Sequence, residues 1–436
     1  MSQKKFYIKT FGCQMNEYDS NKISDLMNSI AYQKIDKIDE ADCFIFNTCH
    51  IREKATQKVY SDIGKIKKIY KDKKKPIFVL AGCVAQAESS IVFEKSDYVD
   101  IVVGPQAYHK LPSLIKSFQS NRQRSVETEL DVDGKFNVLN NLKNTKSKIS
   151  SFVTIQEGCD KFCKFCVVPY TRGPEFSRDH NKILDEILSL TDNGTKEIVL
   201  LGQNVSVYKN NDISLAKLIK KIAKINNVKR IRFTTSHPND FDQELISLFG
   251  EESKLMPQLH LPVQSGSDKI LKLMNRNHTR SDYLNLIEKF RKEKSDIQFS
   301  SDFIVGFPGE TNEDHLDTIN LVKEVKFSLS YSFIYSSRPG TKSSTEVDDT
   351  SISVKKERLL VLQEKLKEIQ YSFNQEFCNK TVKVLIENQS LSNPEYFFGR
   401  TPFMQSVYIK SNDLVPGYEK DIDITSCNHK SLYGIC

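Results

Sequence analysis

The sequence predicts an α/β protein with an N-terminal open parallel α/β sheet domain, a central partial (βα)6 barrel and a small C-terminal β-barrel. In the first two regions, short apolar runs rich in Ile, Val and Phe alternate with charged stretches of helical period, as in parallel α/β folds. After residue 380 only short strand-like runs separated by turns remain, which is typical of a small closed barrel. We place the domains at 1–118, 151–372 and 373–436, with a linker at 119–150.

Composition restricts the class of protein. The chain has 436 residues, of which 39% are hydrophobic and 27% charged, as expected for a soluble globular protein of several domains. The basic start, Met1–Lys5, precedes an apolar run too short for a signal peptide, and no run approaches a membrane span. Ten cysteines are too dilute for a disulfide scaffold, which favours metal or redox chemistry in a reducing cytoplasm. The net charge of +7 is weak evidence for a nucleic-acid partner.

Three predicted strands of the first domain each lead to a cysteine: Cys13, Cys49 and Cys83. Because the carboxyl ends of parallel strands meet at one edge of a sheet, these thiols should meet in space. This favours a three-cysteine metal cluster, although three separately buried cysteines are the simpler alternative. Cys43 lies at the start of its strand and is predicted to be a core residue.

The segment 119–150 has two polar stretches, 121–125 and 140–148, and no sustained apolar period, which predicts a linker.

The second domain contains six βα-like repeats, too few for a full eight-unit barrel. Its predicted strands are Phe152–Ile155, Glu197–Leu201, Arg230–Thr234, Gln258–Leu261, Phe299–Val305 and Leu329–Ile334. Polar segments follow several of these strands, at 202–204, 236–238, 264–266 and 306–310. Since functional loops of such barrels lie at the carboxyl ends of the strands, we expect a polar, ligand-lined mouth there.

A loop after the first barrel strand carries Cys159, Cys163 and Cys166 in C-x3-C-x2-C spacing, with Phe165 directly before the last cysteine. Three thiolates this close can hold one face of a cubane iron–sulfur cluster and leave one iron open to another ligand. A structural zinc site usually has four ligands in paired C-x2-C form, so this spacing fits it less well. The loop resembles that of the radical S-adenosylmethionine (SAM) enzymes, whose open iron binds SAM. Arg172, on the same loop, is expected to contact substrate or cluster, or to form a simple surface salt bridge.

The C-terminal segment follows a predicted helix at Val354–Phe373 and resembles an oligonucleotide-binding barrel. Candidate RNA contacts are aromatic and basic side chains: Tyr396, Phe397, Phe398, Arg400 and Lys410. A barrel that serves only as a spacer is the alternative. Cys378, Cys427 and Cys436 lack metal-ligand spacing.

With both cysteine triads placed, the whole chain resembles the methylthiotransferase family, and in particular its tRNA branch, which makes 2-methylthio-isopentenyladenosine. The resemblance is carried by the stretches 10–20, 47–55, 82–86, 166–173, 201–204, 259–266 and 301–311. It implies two [4Fe–4S] clusters: Cys159, Cys163 and Cys166 for the SAM-binding cluster, and Cys13, Cys49 and Cys83 for an auxiliary one. It also implies that Phe165, Gln203, Ser236 and Gln264 contact SAM, and that the C-terminal barrel is a TRAM domain that binds RNA.

The implied reaction inserts sulfur and a methyl group at carbon 2 of the isopentenyladenosine next to the tRNA anticodon. A radical generated from SAM would activate the C–H bond, the auxiliary cluster would hold the sulfur, and a second SAM would give the methyl group. The partners implied are the tRNA anticodon loop, an electron donor protein and a sulfur donor, with no membrane; no catalytic residue beyond the cluster ligands is predicted. The alternatives are another tRNA adenosine or a ribosomal protein as substrate, or an iron–sulfur electron carrier.

Overall fold

A computed structural model of the chain describes residues 3–50, 53–142, 148–390 and 393–436. In these ranges the three predicted folds are present: an open parallel sheet, a partial barrel of parallel strands and a closed five-stranded barrel. None of the helices within these ranges is both long enough and apolar enough to cross a membrane.

The N-terminal sheet is parallel throughout, with strand order β2-β1-β3-β4-β5-β6 in the described part of the chain. Its strands are β1 (Lys4–Thr10), β2 (Tyr32–Lys34), β3 (Cys43–Thr48), β4 (Ile77–Gly82), β5 (Ile101–Val103) and β6 (Ser125–Glu127). Its helices are α1 (Gln14–Ser29), α2 (Glu53–Ile69), α3 (Cys83–Glu88), α4 (Ile91–Lys95), α5 (Leu111–Asn121) and α6 (Val132–Leu139). Both faces of the sheet are buried, which explains why its central strands are continuous apolar runs.

The predicted linker is largely part of this domain. Residues 125–127 form β6, the edge strand of the sheet, and α6 buries Val132, Phe136 and Leu139 in the core of the sheet. The sequence did not indicate this because a three-residue, half-buried edge strand has no apolar run to detect. The domain boundaries themselves stay a prediction.

The central domain is an open barrel built from two parallel three-stranded sheets, β7-β10-β13 and β14-β15-β16, among the described residues. A bridge between Ile231 and Leu255 connects the two sheets. The barrel strands are β7 (Ser150–Thr154), β10 (Glu197–Leu201), β13 (Arg230–Phe233), β14 (Gln258–His260), β15 (Gln298–Val305) and β16 (Leu329–Ile334). Two short pairs of strands accompany them: β8 (Gln156–Glu157) with β9 (Phe176–Ser177), and β11 (Lys209–Asn210) with β12 (Ile213–Ser214).

The helices that pack on the outside of the barrel strands are α8 (His180–Asp192), α9 (Leu215–Ala223), α10 (Gln243–Glu251), α12 (Arg280–Glu293), α13 (Asn312–Val325) and α14 (Ile352–Gln375). Two short helices lie in the loops after barrel strands: α7 (Val168–Arg172) after β7 and α11 (Asp268–Leu273) after β14. Alternate strand residues such as Ile198, Leu200 and Ile231 face the helices on the outside. The residues between them therefore point to the inner face of the barrel.

The two flanking domains cover part of that inner face. Helix α1 of the N-terminal domain packs Met15 and Tyr18 against Val199 and Leu201 of β10. At the start of β13, Arg230 and Arg232 instead reach the C-terminal barrel. The open barrel is thus closed from the side by one neighbour and from the amino ends of its strands by the other.

The C-terminal barrel has the closed order β17-β18-β19-β21-β20 in the described residues. Its strands are β17 (Thr381–Gln389), β18 (Tyr396–Arg400), β19 (Ser406–Lys410), β20 (Glu419–Cys427) and β21 (Ser431–Ile435). Phe397 is only 4% exposed and belongs to the barrel core, so its prediction as an RNA contact is wrong. Strand alternation is the reason, since Phe398 and Phe397 must point to opposite sides.

Two buried arginines attach the C-terminal barrel. Arg230 pairs with Glu419 at 2.7 Å and donates to the carbonyl oxygen of Arg400. Arg232 pairs with Glu197 at 2.9 Å and donates to the carbonyl oxygens of residues 401 and 402. Because these carbonyls belong to the end of β18 and the loop after it, the arginines fix the barrel in one orientation.

Replacing Arg232 with Ala should destabilise the protein by about 3–5 kcal/mol, because Glu197 would stay buried without its hydrogen-bonded partner. Urea unfolding of the purified chain measures this loss. Lys229→Ala, at an exposed neighbouring position, is the control and should change stability by no more than about 0.5 kcal/mol. Equal unfolding midpoints for the two variants would contradict this mode of attachment.

Candidate metal centres

Cys13, Cys49 and Cys83 meet at the carboxyl edge of the N-terminal sheet, as their strands predict. Each follows one of three neighbouring parallel strands, β1, β3 and β4. Cys13 is the N-cap of α1, and Cys83 is the first residue of α3. Cys43 lies at the opposite edge of the sheet and is fully buried, as a core residue should be.

Two glycines allow the three thiols of this triad to approach one another. Gly12 has φ +107°, and a Cβ there would overlap the Cβ of Cys49 and lie 2.8 Å from its sulfur. Gly82 has φ +89°, and a Cβ there would overlap the carbonyl oxygen of Thr48. The chain therefore needs glycine directly before Cys13 and Cys83 to bring the three thiols together.

The surroundings of Cys13 favour its thiolate form. A hydrogen bond from Cys49, the positive charge of Arg172 and backbone N–H groups at the start of α1 lower the pKa of Cys13 to about 6. Burial raises the pKa of Cys83, and the positive charge of Arg172 acts in the opposite direction. Thiolate is the form that binds iron, so an arginine beside the triad supports the metal-site prediction.

The second triad lies on the loop that leaves the barrel after β7. Backbone contacts close the loop at both ends: β8 pairs with β9, and the N–H of Cys159 donates to the carbonyl oxygen of Gly173 at 3.2 Å. Inside the loop, the N–H of Cys166 donates to the carbonyl oxygen of Cys163 at 2.9 Å. The loop is therefore a closed, hydrogen-bonded unit that carries its three thiols together.

Gly158 makes this closure possible. Its φ is +78°, and a Cβ there would overlap the carbonyl oxygen of Pro174, in the returning segment just before β9. Its N–H donates to Oε1 of Gln203 at 2.6 Å, which ties the loop to the end of β10. Gln203, predicted to contact SAM, thus also positions the cysteine loop.

Arg276 is a site residue that the sequence did not indicate. It follows α11, away from the strand ends, and its Nη1 donates to the sulfur of the buried Cys163 at 3.5 Å. Burial raises the pKa of Cys159 to about 11 and that of Cys166 to about 12. A positive group such as a metal or Arg276 is therefore needed to keep these sulfurs as thiolates.

The donor chemistry of both triads fits iron–sulfur clusters, since each offers three cysteine sulfurs. Among the residues that the structure describes, no three His, Cys, Asp or Glu side chains are arranged to hold one metal ion. A cluster differs from a single ion because each of its thiolates binds a different iron atom. The ligand assignments stay a prediction.

The other predicted SAM contacts line the same mouth. Ser236 follows β13, and its Oγ is buried without a hydrogen-bond partner among the described residues, so it remains available to a ligand. Gln264 follows β14 with φ +77° and a largely buried side chain. Phe165 packs against an apolar group that includes Met274 and Phe307. The contacts of these side chains with SAM stay predictions.

Four buried charged residues connect the two triads. Arg172 pairs with Asp19 at 2.7 Å and with Glu157 at 3.2 Å, and Lys135 pairs with Glu157 at 2.5 Å. All four side chains are at most 4% exposed, so Arg172 does not form a surface salt bridge. Asp19, Lys135 and Glu157 were missed because no local sequence pattern distinguishes them from ordinary surface charges.

Two protein-family models match the chain. The model described as "Radical SAM superfamily" matches residues 153–322, which run from within β7 to within α13 and include the cysteine loop. The model described as "Uncharacterized protein family UPF0004" matches residues 5–104, which include the N-terminal triad.

Full-length relatives are similar over almost the whole chain. The "tRNA-2-methylthio-N(6)-dimethylallyladenosine synthase" of Pelagibacter ubique is 50% identical over 99% of this chain and 97% of its own length. The protein of the same name from Rickettsia bellii is 49% identical, with 99% of each chain covered.

Solved structures resemble the fold at low identity. The radical S-adenosylmethionine methyltransferase TsrM from Kitasatospora setae has a TM-score of 0.55 at 12% identity, covering 79% of this chain and 77% of its own. The cobalamin-dependent S-adenosylmethionine radical enzyme OxsB has a TM-score of 0.53 at 12% identity, covering 84% of this chain and 56% of its own. At this identity the similarity concerns the fold alone.

Replacing Gly158 with Ala should prevent closure of the cysteine loop and lower the iron that the chain binds on anaerobic reconstitution. Gly194→Ala is the matched control, because Gly194 also has positive φ (+103°), but a Cβ there would meet no atom of the described residues within 4 Å. Both variants carry backbone strain of about 1–2 kcal/mol. Only in Gly158→Ala does the added Cβ collide with another atom, the carbonyl oxygen of Pro174. Iron analysis and the visible absorption of the cluster report the difference, and equal iron in both variants would contradict it.

Proposed function

Because the chain belongs to the family of tRNA-2-methylthio-N(6)-dimethylallyladenosine synthases, which are radical SAM methylthiotransferases, we propose that two iron–sulfur sites carry out separate parts of the reaction. The chain is a tRNA methylthiotransferase, and its substrate is the isopentenyladenosine next to the anticodon. The observation that supports two separate sites is the presence of two cysteine triads, one at the edge of the N-terminal sheet and one at the barrel mouth.

Cys159, Cys163 and Cys166 would hold the SAM-binding [4Fe–4S] cluster. When bound there, the cluster supplies the electron that cleaves SAM and leaves one iron for the amino acid part of SAM. The loop closed by Gly158 holds the three thiols at the barrel mouth, and Arg276 donates a charged hydrogen bond to the sulfur of Cys163.

The strand ends around this loop would orient SAM. Ser236 offers a buried hydroxyl that has no partner among the residues the structure describes, and Gln264 offers an amide on the next strand end. Phe165, held against an apolar group, would present a ring to the adenine. Gln203 acts through the N–H of Gly158 and keeps the loop in place.

Cys13, Cys49 and Cys83 would hold the auxiliary [4Fe–4S] cluster, which would hold the sulfur that becomes the methylthio group. This triad belongs to the domain whose α1 packs on the inner face of the barrel. Asp19 of α1 also pairs with Arg172 of the barrel loop, and this contact supports our proposal that the two triads face the same interdomain space. A base inserted there would have SAM on one side and the sulfur source on the other.

The C-terminal barrel would bind the tRNA. Phe398, Tyr408 and Tyr433 lie side by side on three paired strands, with ring centroids 5.6 and 5.8 Å apart. Such an aromatic row on a small barrel suits stacking with unpaired bases. Anticodon loops offer bases that are already unstacked, which lowers the cost of reaching the adenosine.

The reaction also needs an electron donor protein and a sulfur donor, since the chain must be reduced and resupplied with sulfur between turnovers. A tRNA substrate would place the protein in the cytoplasm.

The decisive test is mass spectrometry of nucleosides from tRNA carrying isopentenyladenosine, incubated with anaerobically reconstituted chain, SAM and reductant. We expect the 2-methylthio nucleoside together with methionine and 5′-deoxyadenosine. If 5′-deoxyadenosine forms while the tRNA stays unmodified, another tRNA adenosine or a ribosomal protein becomes the substrate to test. If neither product forms, the electron-carrier alternative gains support.

Cysteine variants assign the two sites in the same assay. Cys163→Ala should abolish 5′-deoxyadenosine formation, because the SAM-binding cluster loses one of its three ligands. Cys49→Ala should keep 5′-deoxyadenosine formation and end methylthio formation, because only the sulfur source is lost.

Cys43→Ala is the matched control, since Cys43 begins the strand after which Cys49 lies. It should keep both products. Methylthio product from Cys49→Ala would refute the sulfur-bearing role of the N-terminal triad.

A further inference from the structure

Arg172 occupies an unusual position between the two cysteine triads. It is the last residue of α7 on the barrel loop, six residues after Cys166. Its side chain is only 4% exposed and points away from its own triad into the N-terminal domain, where it pairs with Asp19. A residue of the SAM-site loop therefore forms part of the surroundings of the auxiliary triad.

Arg172 lies next to the auxiliary triad. It ends α7, which packs against α3, the helix that begins with Cys83. Its Nη2 also lies 3.4 Å from Oδ1 of Asn16, and the same oxygen lies 3.9 Å from the sulfur of Cys13. Two of the three auxiliary cysteines therefore have Arg172 in their immediate surroundings.

A buried network holds this guanidinium in place. Glu157, directly before the loop glycine, accepts from Arg172 and from Lys135 of α6, and Gln106 donates to Glu157 at 2.6 Å and to the carbonyl oxygen of Arg172 at 3.0 Å. Lys135 also lies 3.8 Å from Asp19. Two cations and two carboxylates balance, so the network carries no net charge of its own.

Such a network is a weak source of stability, because desolvation of buried charges offsets most of their attraction. Its geometry has a different consequence. Glu157 and Arg172 lie at the two ends of the SAM-site loop, and their ion pairs join that loop to α1 and α6 of the N-terminal domain. Displacing Arg172 would disturb the register between the triads and remove a positive charge from beside the auxiliary triad.

We propose that Arg172 is a positioning residue for sulfur insertion: it holds the auxiliary triad in register with the SAM-site loop and raises the reduction potential of the auxiliary cluster through its positive charge beside the triad. The proposal rests on the two-cluster function proposed above. The potential is raised because a positive charge next to a cluster stabilises the reduced, more negative cluster.

Arg178 provides a matched control at the same domain interface. It is equally buried and equally paired, with Glu186 at 2.5 Å, and it donates to Oδ1 of Asn140 at 2.6 Å. Its hydrogen bonds within the described part of the chain reach no cysteine. Arg178→Gln should therefore reproduce the loss of stability caused by removing a buried cation, without the effect on the cluster.

The first experiment isolates the auxiliary cluster by replacing Cys159, Cys163 and Cys166 together with Ala. In that background, Arg172→Gln should shift the reduction potential of the remaining cluster to a more negative value and change its electron paramagnetic resonance spectrum. Arg178→Gln should change neither. Unchanged potential and spectrum in Arg172→Gln, or the same shift in both variants, would overturn the proposal.

The second experiment uses the full chain and counts products. Arg172→Gln should still cleave SAM, while the 5′-deoxyadenosine formed per methylthio nucleoside rises by about tenfold or more, as for loss of other residues that support a metal ligand. Arg172→Lys separates the two roles, since it keeps the charge but lacks the planar fork. Arg172→Lys should keep the reduction potential of the auxiliary cluster closer to that of the wild type. It should still raise the amount of 5′-deoxyadenosine formed per methylthio nucleoside.

The outcomes distinguish this proposal from the one on which it rests. Wild-type chain that binds only one cluster or makes no methylthio nucleoside would refute the proposed function. Wild-type chain that does both, with Arg172→Gln and Arg178→Gln giving the same product ratio, would refute only the role of Arg172.

Discussion

The inner face of an open barrel must be covered, and this requirement organises the whole chain. A complete barrel fills its interior with its own side chains, whereas six strands leave the inner face accessible from one side. Here Met15 and Tyr18 of α1 cover the inner face of β10, and Arg230 and Arg232 bind the C-terminal barrel at the start of β13. The same packing brings the edge of the N-terminal sheet to the mouth of the barrel.

Polar contacts at these two interfaces differ from ordinary surface ion pairs. Exposed pairs contribute at most about 1 kcal/mol, and their geometry is loose. Arg172, Arg178 and Arg232 are each at most 4% exposed, and each pairs with a carboxylate that is also buried. Buried pairs tolerate little displacement, because an unpaired charge inside the protein is costly. The interfaces are therefore specific in orientation, as a reaction shared between two domains would require.

Much of the candidate site could be predicted from the sequence, since its cysteines follow the ends of predictable strands. Cys13, Cys49 and Cys83 could be grouped because parallel strands align their carboxyl ends, and Cys159 to Cys166 are grouped by spacing alone. Arg276 and Lys135 could not be predicted, because they reach the sites from helices or loops with no periodic relation to the strands. The strand β6 was missed because three half-buried residues carry no apolar pattern.

The sequence by itself determined the fold class, the strands and the two sets of thiols, because these depend on local periodicity and on the fixed direction of parallel strands. Only the tertiary structure decided which charges join the two sites and how the domains face one another. Asp19 and Arg172 are 153 residues apart, and nothing in either local sequence indicates the other. Their pairing depends on the packing of α1 on the barrel, and that packing is a property of the folded chain as a whole.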